Sequence, residues 1–566
     1  MANYAVSGLR RVGAIGLGLS VATVALCSMT TPSSTHRVPA RSAAKPSTSL
    51  TSTLWGDLTA DLTALDNADH NNPTADQGSL YTITSAIGAR NVWKQQDSRG
   101  RQITGQGVTV ALLDSGTAAV PGLVGAGKLS YGPDLSIEGN GVLIDQDTYG
   151  HGTHMAGIIA ANDGVTITPS SIAKTSPSTQ LGVAPDAHLE SLKLSDTDGS
   201  VDVSQVIAAL NWVTEHQTAA DGQKVRVVNL SFGTSTVQPY QLDPLAAAAE
   251  NAWKHGLVVV VSGGNEGWSA NRLDDPAIDP FVLSVGASDP NAAVAGWARP
   301  GVASFSSSGS SSRHVDLIAP GTSIVSLRAP GSYVDQNHPE GRVVGDTSGR
   351  LFRGSGTSQA AAVVSGAVAL LLQAYPSLTP DQVKAALVQS ASTVTAAPVN
   401  AGAGELNVAG ALTLARGIAN CTGLLCNLVG GLTVGDLTQK FPASTGQGSL
   451  DAARGDSGGL ADADGNALIG EVDAQGNAWN PQQWWAKSST LTSWSGGNWL
   501  GVRWTGDGWD GTAGLNSARW SSARWSSARW SDAGWSSARW SSARWSSARW
   551  SSAQWSSARW SDSGWN

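Results

Sequence analysis

Along this 566-residue chain, four short motifs set a reactive side chain beside glycine. Asp114 closes an apolar run in Leu113-Asp114-Ser115-Gly116. His151 lies in Gly150-His151-Gly152-Thr153-His154, and Asn265 in Ser262-Gly263-Gly264-Asn265-Glu266-Gly267. Ser358 lies in Ser355-Gly356-Thr357-Ser358-Gln359-Ala360, just before an apolar helical stretch. Each has an ordinary reading on its own. Asp-Ser-Gly and Gly-Gly-Asn-Glu-Gly are turn sequences, and a Ser ahead of a helix is most often an N-cap. As a set they supply a nucleophile, a base, a group to orient the base, and donors for developing negative charge. Acyl transfer at neutral pH needs these four parts. A hydroxyl on the first turn of a helix also sits among unpaired N–H groups and positive partial charge. His154 follows His151 by three residues on the same helical face. A two-His metal site would need an acidic partner, and none completes a zinc pattern there. His154 is therefore read as a packed, hydrogen-bonded structural residue, and no metal ligand is assigned.

The elements that must carry these residues are legible from the hydrophobic pattern. Val108–Leu113 is read as a continuous apolar run, and Leu189–Leu194, Val225–Leu230, Leu257–Val261 and Phe281–Val285 follow as further runs of this general type. Such runs suit strands buried on both faces of a parallel sheet. Helix-like stretches alternate with them at His154–Ala161, Val203–Glu215 and Pro244–Lys254. A long apolar helix follows Ala360 up to Gln373, too interrupted by Ser and Gly to read as membrane-spanning. The expected fold class is α/β, a mainly parallel sheet flanked by helices. In such sheets sites form beyond the carboxyl ends of strands, where Asp114 and Asn265 fall.

With these motifs in the order Asp, His, Ser, the chain resembles the subtilisin-like serine peptidases over residues 89–415. Val110-Ala111-Leu112-Leu113-Asp114-Ser115-Gly116 looks like the family's Asp motif, and the His and Gly-Thr-Ser motifs match too. Gly182-Val183-Ala184-Pro185, Asn229-Leu230-Ser231-Phe232-Gly233 and Ile318-Ala319-Pro320-Gly321 are further matches. The resemblance implies a serine endopeptidase with Asp114, His151 and Ser358 as its triad and Asn265 in its oxyanion hole. It implies that Ser231, Phe232 and Gly233, with Ser262, Gly263 and Gly264, border a protein or peptide substrate held as an added strand. No cofactor is assigned. Structural calcium is expected by resemblance only, with no ligands to assign. The chain departs from the family pattern at Gln359, where Met is usual, and at Ala362, where Pro is usual. Glu266 beside Asn265 reads either as a group favouring a basic substrate residue or as a solvated loop carboxylate.

Charged residues are 14% of the chain and the net charge is −8, which does not suit a nucleic-acid partner. Residues 1–28 read as a signal peptide: Arg10 and Arg11 precede an uncharged run from Val12 to Cys27, shorter than the ~20 residues that span a bilayer. The expected location is secreted or extracellular, with the membrane met only during export. Cys421 and Cys426 are spaced to close a small disulfide loop in an oxidising compartment. Residues 29–88 read as a leader, spacer or short propeptide. Residues 416–480 read as an extended linker or a small module. Residues 481–566 form a Trp-rich tail: Trp494, Trp499, Trp504 and Trp509 are spaced by five, and Trp520 to Trp565 continue the step, most often as Ser-Ser-Ala-Arg-Trp. A regular Trp and Arg pitch suits stacking on a cell-envelope polymer, or Trp packing among themselves.

Overall fold

The valine-rich runs read as buried strands do lie side by side. The computed structural model describes residues 76–125, 127–136, 138–139, 142–219, 222–289, 301–394, 398–420, 437–455 and 470–504. The signal segment, most of the leader, the Cys421 and Cys426 pair, and the repeats from Trp509 onward lie outside the described residues.

In chain order the strands that matter are β1 Thr109–Asp114, β2 Leu129–Tyr131, β3 His188–Lys193, β4 Val225–Leu230, β5 Val258–Ser262, β6 Leu283–Asp289, β7 Gly301–Val302, β8 Leu317–Pro320, β9 Ile324–Leu327 and β10 Leu351–Gly354. The helices are α1 Leu80–Ala86, α2 His151–Ala160, α3 Val203–Glu215, α4 Pro244–Lys254, α5 Thr357–Ala374, α6 Pro380–Ser390, α7 Val408–Ala419, α8 Leu450–Arg454 and α9 Pro481–Ser488. The main sheet runs β2-β3-β1-β4-β5-β6, with β7 and β8 both on β6. Every pairing is parallel except β6 with β7. This is the subtilisin-like α/β arrangement. β1 and β5 are buried at every position, as expected for strands covered on both faces.

Acidic caps fix two of the helix starts. Asp202 caps α3 in a capping box with Gln205. Asp243 caps α4, with Pro244 in the first turn. α5 is long and apolar enough to cross a membrane, but it is wholly buried and packs against α2, β4, β5 and β6. It is a core helix of the α/β unit.

Residues 437–455 and 470–504, where the sequence suggested linker, module and the beginning of a tail, pack onto the outer face of α3 and α4. Three strands there, β11 Trp494–Ser495, β12 Asn498–Trp499 and β13 Val502–Arg503, form a small antiparallel sheet. Trp494 pairs directly with Trp499, so the spacing of five here places two indoles across a hairpin. Trp484, Trp499 and Trp504 are fully buried. Trp484 and Trp499 both donate Nε1–H to Asn211 Oδ1 of α3, at 3.0 and 3.2 Å. Asn251 of α4 donates to Ser488 O at 3.0 Å. Asn211 and Asn251 thus give α3 and α4 part of a polar seam for the C-terminal segment.

Candidate active site

Asp114 ends β1, and its side chain is fixed by the N–H of Ser115, which donates to Oδ1 at 2.8 Å. His151 opens α2. Its Nδ1 lies 2.8 Å from Asp114 Oδ1 and 3.1 Å from Oδ2. Both side chains are almost completely buried. The neighbouring glycines are required by space. Gly150 adopts φ 112°, and a Cβ there would stand 2.4 Å from Ser332 Oγ. A Cβ at Gly152 would stand 2.0 Å from Gly116 O. Helix and strand end therefore approach closely enough for the ring to reach the carboxylate.

Burial opposes charge at both members of this pair. It raises the Asp114 carboxyl well above its usual range, against the Ser115 N–H bond, and holds the His151 imidazole well below its usual value. The arrangement that satisfies the short contact is a neutral ring donating Nδ1–H to a carboxylate, which directs Nε2 away from Asp114. His154 lies elsewhere in function. Its Nε2 faces Phe352 O at 3.3 Å, and burial lowers it to about 4, so it is neutral at physiological pH.

Ser358 is the second residue of α5 and is nearly buried. Its position is tied to two other strand ends. Ser231, just after β4, donates Oγ–H to Ser358 O at 3.2 Å. Asn265, just after β5, accepts at Oδ1 from the Thr357 N–H at 2.8 Å and Thr357 Oγ1 at 3.0 Å. With the amide oxygen engaged this way, the Asn265 Nδ2 group is left as a donor. β1, β4 and β5 are adjacent and parallel. Asp114 with His151, Ser231 with Ser358, and Asn265 thus gather at the carboxyl edge of three neighbouring strands.

α5 begins at Thr357 despite Ala362 standing where the family pattern has Pro, so the departure leaves the helix start in place. Gln359 is fully buried, and neither of its amide atoms has a hydrogen-bond partner among the described residues. Of the residues expected to border a substrate, Phe232 is buried, and a Cβ at Gly233 would stand 2.6 Å from Asp274 Cβ. Gly263 donates its N–H to Val285 O and accepts from the Asp274 N–H, so its backbone donor is already engaged. Gly264 adopts φ 110°, a backbone that favours glycine. Glu266 is tied to Ser307, which donates Oγ–H to it at 2.7 Å, so it is not simply a solvated carboxylate.

Sequence reasoning missed Asp147. This buried carboxylate accepts from the Gly150 N–H at 2.6 Å, the Thr153 N–H at 2.7 Å and Ser115 Oγ at 2.8 Å. It holds the first turn of α2, and so His151, against the loop after β1. The available signal was an Asp just ahead of a Gly-His helix start, the position where acids satisfy orphan N–H groups. Among the described residues no group of three or more His, Cys, Asp or Glu gathers as a metal site, and no calcium-holding residue is assigned.

A model of the subtilase family, peptidase family S8, matches residues 105–411. The chain belongs to the subtilase family. It is 34% identical over 315 residues to serine protease AprX of Bacillus subtilis (strain 168), a match covering 54% of this chain and 65% of AprX. It is 31% identical over 293 residues to subtilisin DY of Bacillus licheniformis, covering 51% of this chain and 85% of that protein. Among solved structures, fervidolysin of Fervidobacterium pennivorans, a keratinolytic enzyme related to subtilisin, aligns with a TM-score of 0.45 at 25% identity. That alignment covers 61% of this subtilase and 47% of fervidolysin.

Proposed function

We propose that the chain is a secreted serine endopeptidase that cleaves protein or peptide substrates through Asp114, His151 and Ser358. The observation that carries this reading is the buried 2.8 Å contact between His151 and Asp114 at the sheet edge that also holds Ser358 and Asn265. Ser358 Oγ attacks the scissile carbonyl carbon, and its proton passes to His151 Nε2. Asp114 holds the ring's tautomer and stabilises the imidazolium. The carbonyl oxygen, now negative, receives hydrogen bonds from Asn265 Nδ2 and the Ser358 N–H. The C–N bond then breaks, and the leaving amine takes the proton from His151. Water follows the same route in reverse, giving the carboxylic acid and free Ser358. Ser231, Phe232, Gly233, Ser262, Gly263 and Gly264 border the substrate. Residues 1–28 support export. The Arg- and Trp-bearing repeats fit a tail that keeps the enzyme near an envelope polymer, which cosedimentation of the full chain against one ending at Trp504 tests.

The test of the activity is casein digestion by the secreted protein beside Ser358→Ala. Internal cleavage by the wild type, abolished by the substitution, supports endopeptidase action. Hydrolysis of small esters with intact casein would favour an esterase using the same triad.

A further inference from the structure

The C-terminal segment reaches the site's borders from behind. Two loops flank the carboxyl end of β1. One follows β3 and leads into α3 at Asp202; the other follows β4 and leads through Ser231–Gly233 into α4 at Asp243. The first touches the catalytic strand, since Leu194 N–H donates to Asp114 O at 2.8 Å. It also packs on Tyr149, two residues before His151: a Cβ at Gly199 would stand 2.9 Å from the Tyr149 ring. The second carries Ser231, which is bonded to Ser358.

α8 lies across the starts of both α3 and α4. Arg454 at its end is fully buried and meets Asp202 with two contacts, Nε to Oδ2 at 2.7 Å and Nη2 to Oδ1 at 3.1 Å. Nη2 also donates to Val472 O at 2.6 Å. Burial pushes the Asp202 carboxyl up, but Arg454 outweighs it and holds the group below its usual range. On the other side, Thr234 Oγ1 donates to Ala453 O at 2.6 Å, Thr236 Oγ1 to Ala452 O at 2.8 Å, and Gln238 Nε2 to Ser449 O at 2.8 Å. Gly455 sits against Ser235, where a Cβ would stand 2.7 Å from backbone carbon. One five-residue helix thus bonds to the loop that follows the substrate-border residues and to the cap that closes the other loop.

We propose that residues 449–455 are a positioning element for substrate selection, clasping the loops after β3 and β4 so that an extended peptide meets both in fixed register. The proposal rests on the endopeptidase reading. Arg454 touches no reacting atom; it acts through Asp202. Its removal is expected to loosen the far ends of the two loops more than the strand ends that hold Asp114 and Ser358, so long substrates lose more than short ones. A peptide of about six residues extends for ~20 Å and reaches both loops, whereas a single-residue ester engages only the groups at the scissile bond.

The experiment compares kcat/KM on such a peptide and on such an ester in the full-length secreted protein. The variants are Asp202→Asn with Arg454→Met together, and Thr234→Val with Thr236→Val together. The first pair removes both buried charges and keeps an amide that caps α3; the second deletes only hydroxyls, so one pair carries the test if the other does not fold. Circular dichroism at the assay temperature establishes folding. The expected result is a fall of about tenfold on the peptide with ester hydrolysis within about twofold of wild type. Parallel loss on both substrates, or no loss on the peptide in a folded variant, would overturn the proposal. A wild type that hydrolyses neither substrate and takes no serine-directed phosphonate would instead remove the reading beneath it.

Discussion

Asp147→Ala isolates the device that aims His151. The substitution leaves the N–H groups of Gly150 and Thr153 buried without their acceptor, at about 1–3 kcal/mol each. Loss of a carboxylate at a helix N-terminus adds about 0.3–1 kcal/mol. Burial raises the Asp147 carboxyl, so alanine also relieves part of that group's own desolvation. A net loss of about 3 kcal/mol follows, which at about 2.1 cal/mol/K per residue lowers Tm by roughly 4–5 °C in a domain of about 300 residues or more. Activity falls as well, because His151 is the first residue of the helix that Asp147 anchors. A misplacement approaching 1 Å lowers kcat by up to about 10²-fold. Asp147→Asn retains one acceptor oxygen and is expected to lie between wild type and Asp147→Ala in both quantities. Differential scanning calorimetry with initial rates on a short ester measures the pair of effects. If Asp147→Ala melts within about 2 °C of wild type at unchanged kcat, Asp147 does not anchor α2 and the argument fails.

Asn265→Ala is expected to lower kcat by about 10²–10³, the usual cost of removing one oxyanion donor in a subtilisin, with KM nearly unchanged; equal loss in KM and kcat would point to substrate binding instead. Asn265→Asp keeps the acceptor for Thr357 and places negative charge at the oxyanion, so it should be no better than alanine. Glu405 is buried, and burial raises its carboxyl from 4.5 to about 8, with Ser288 Oγ donating to it at 2.9 Å. A raised folded value means that folding favours the protonated acid. The wild type therefore loses stability as pH rises from about 4.5 through about 8. Glu405→Gln keeps the acceptor without the charge, so its Tm advantage should be larger at alkaline than at acidic pH. An advantage that is independent of pH would refute the assignment.

Much of this fold follows from local pattern. Val225–Leu230, Val203–Glu215 and Pro244–Lys254 have the same limits as strand and helices in the structure. Their apolar runs are long, and their caps, Asp202 and Asp243, are strong local signals. β7, Gly301–Val302, and β9, Ile324–Leu327, are too short to carry a period, and their pairing partners are distant in sequence. The candidate site was legible because glycine spacing marks where backbones must approach. Asp147 was legible only in part: its bonds to the Gly150 and Thr153 N–H groups are local, but the contact that joins it to Ser115 spans 32 residues. The C-terminal clasp was hidden for a related reason. It adheres through a few specific contacts, Arg454 to Asp202 and indoles to Asn211, and only the tertiary structure brings those together. The five-residue Trp spacing suggested a tail, yet at Trp494 and Trp499 it places indoles across a hairpin against α3.

The central claim is that Ser358 is a nucleophile activated by His151 and Asp114. Its most direct test is labelling of the secreted wild type with a serine-directed fluorophosphonate, followed by peptide mass mapping, beside His151→Ala and Asp114→Asn. The expected result is a single adduct on Ser358, formed far more slowly in both variants. An adduct on another serine, or labelling of Ser358 at the same rate without His151, would contradict it.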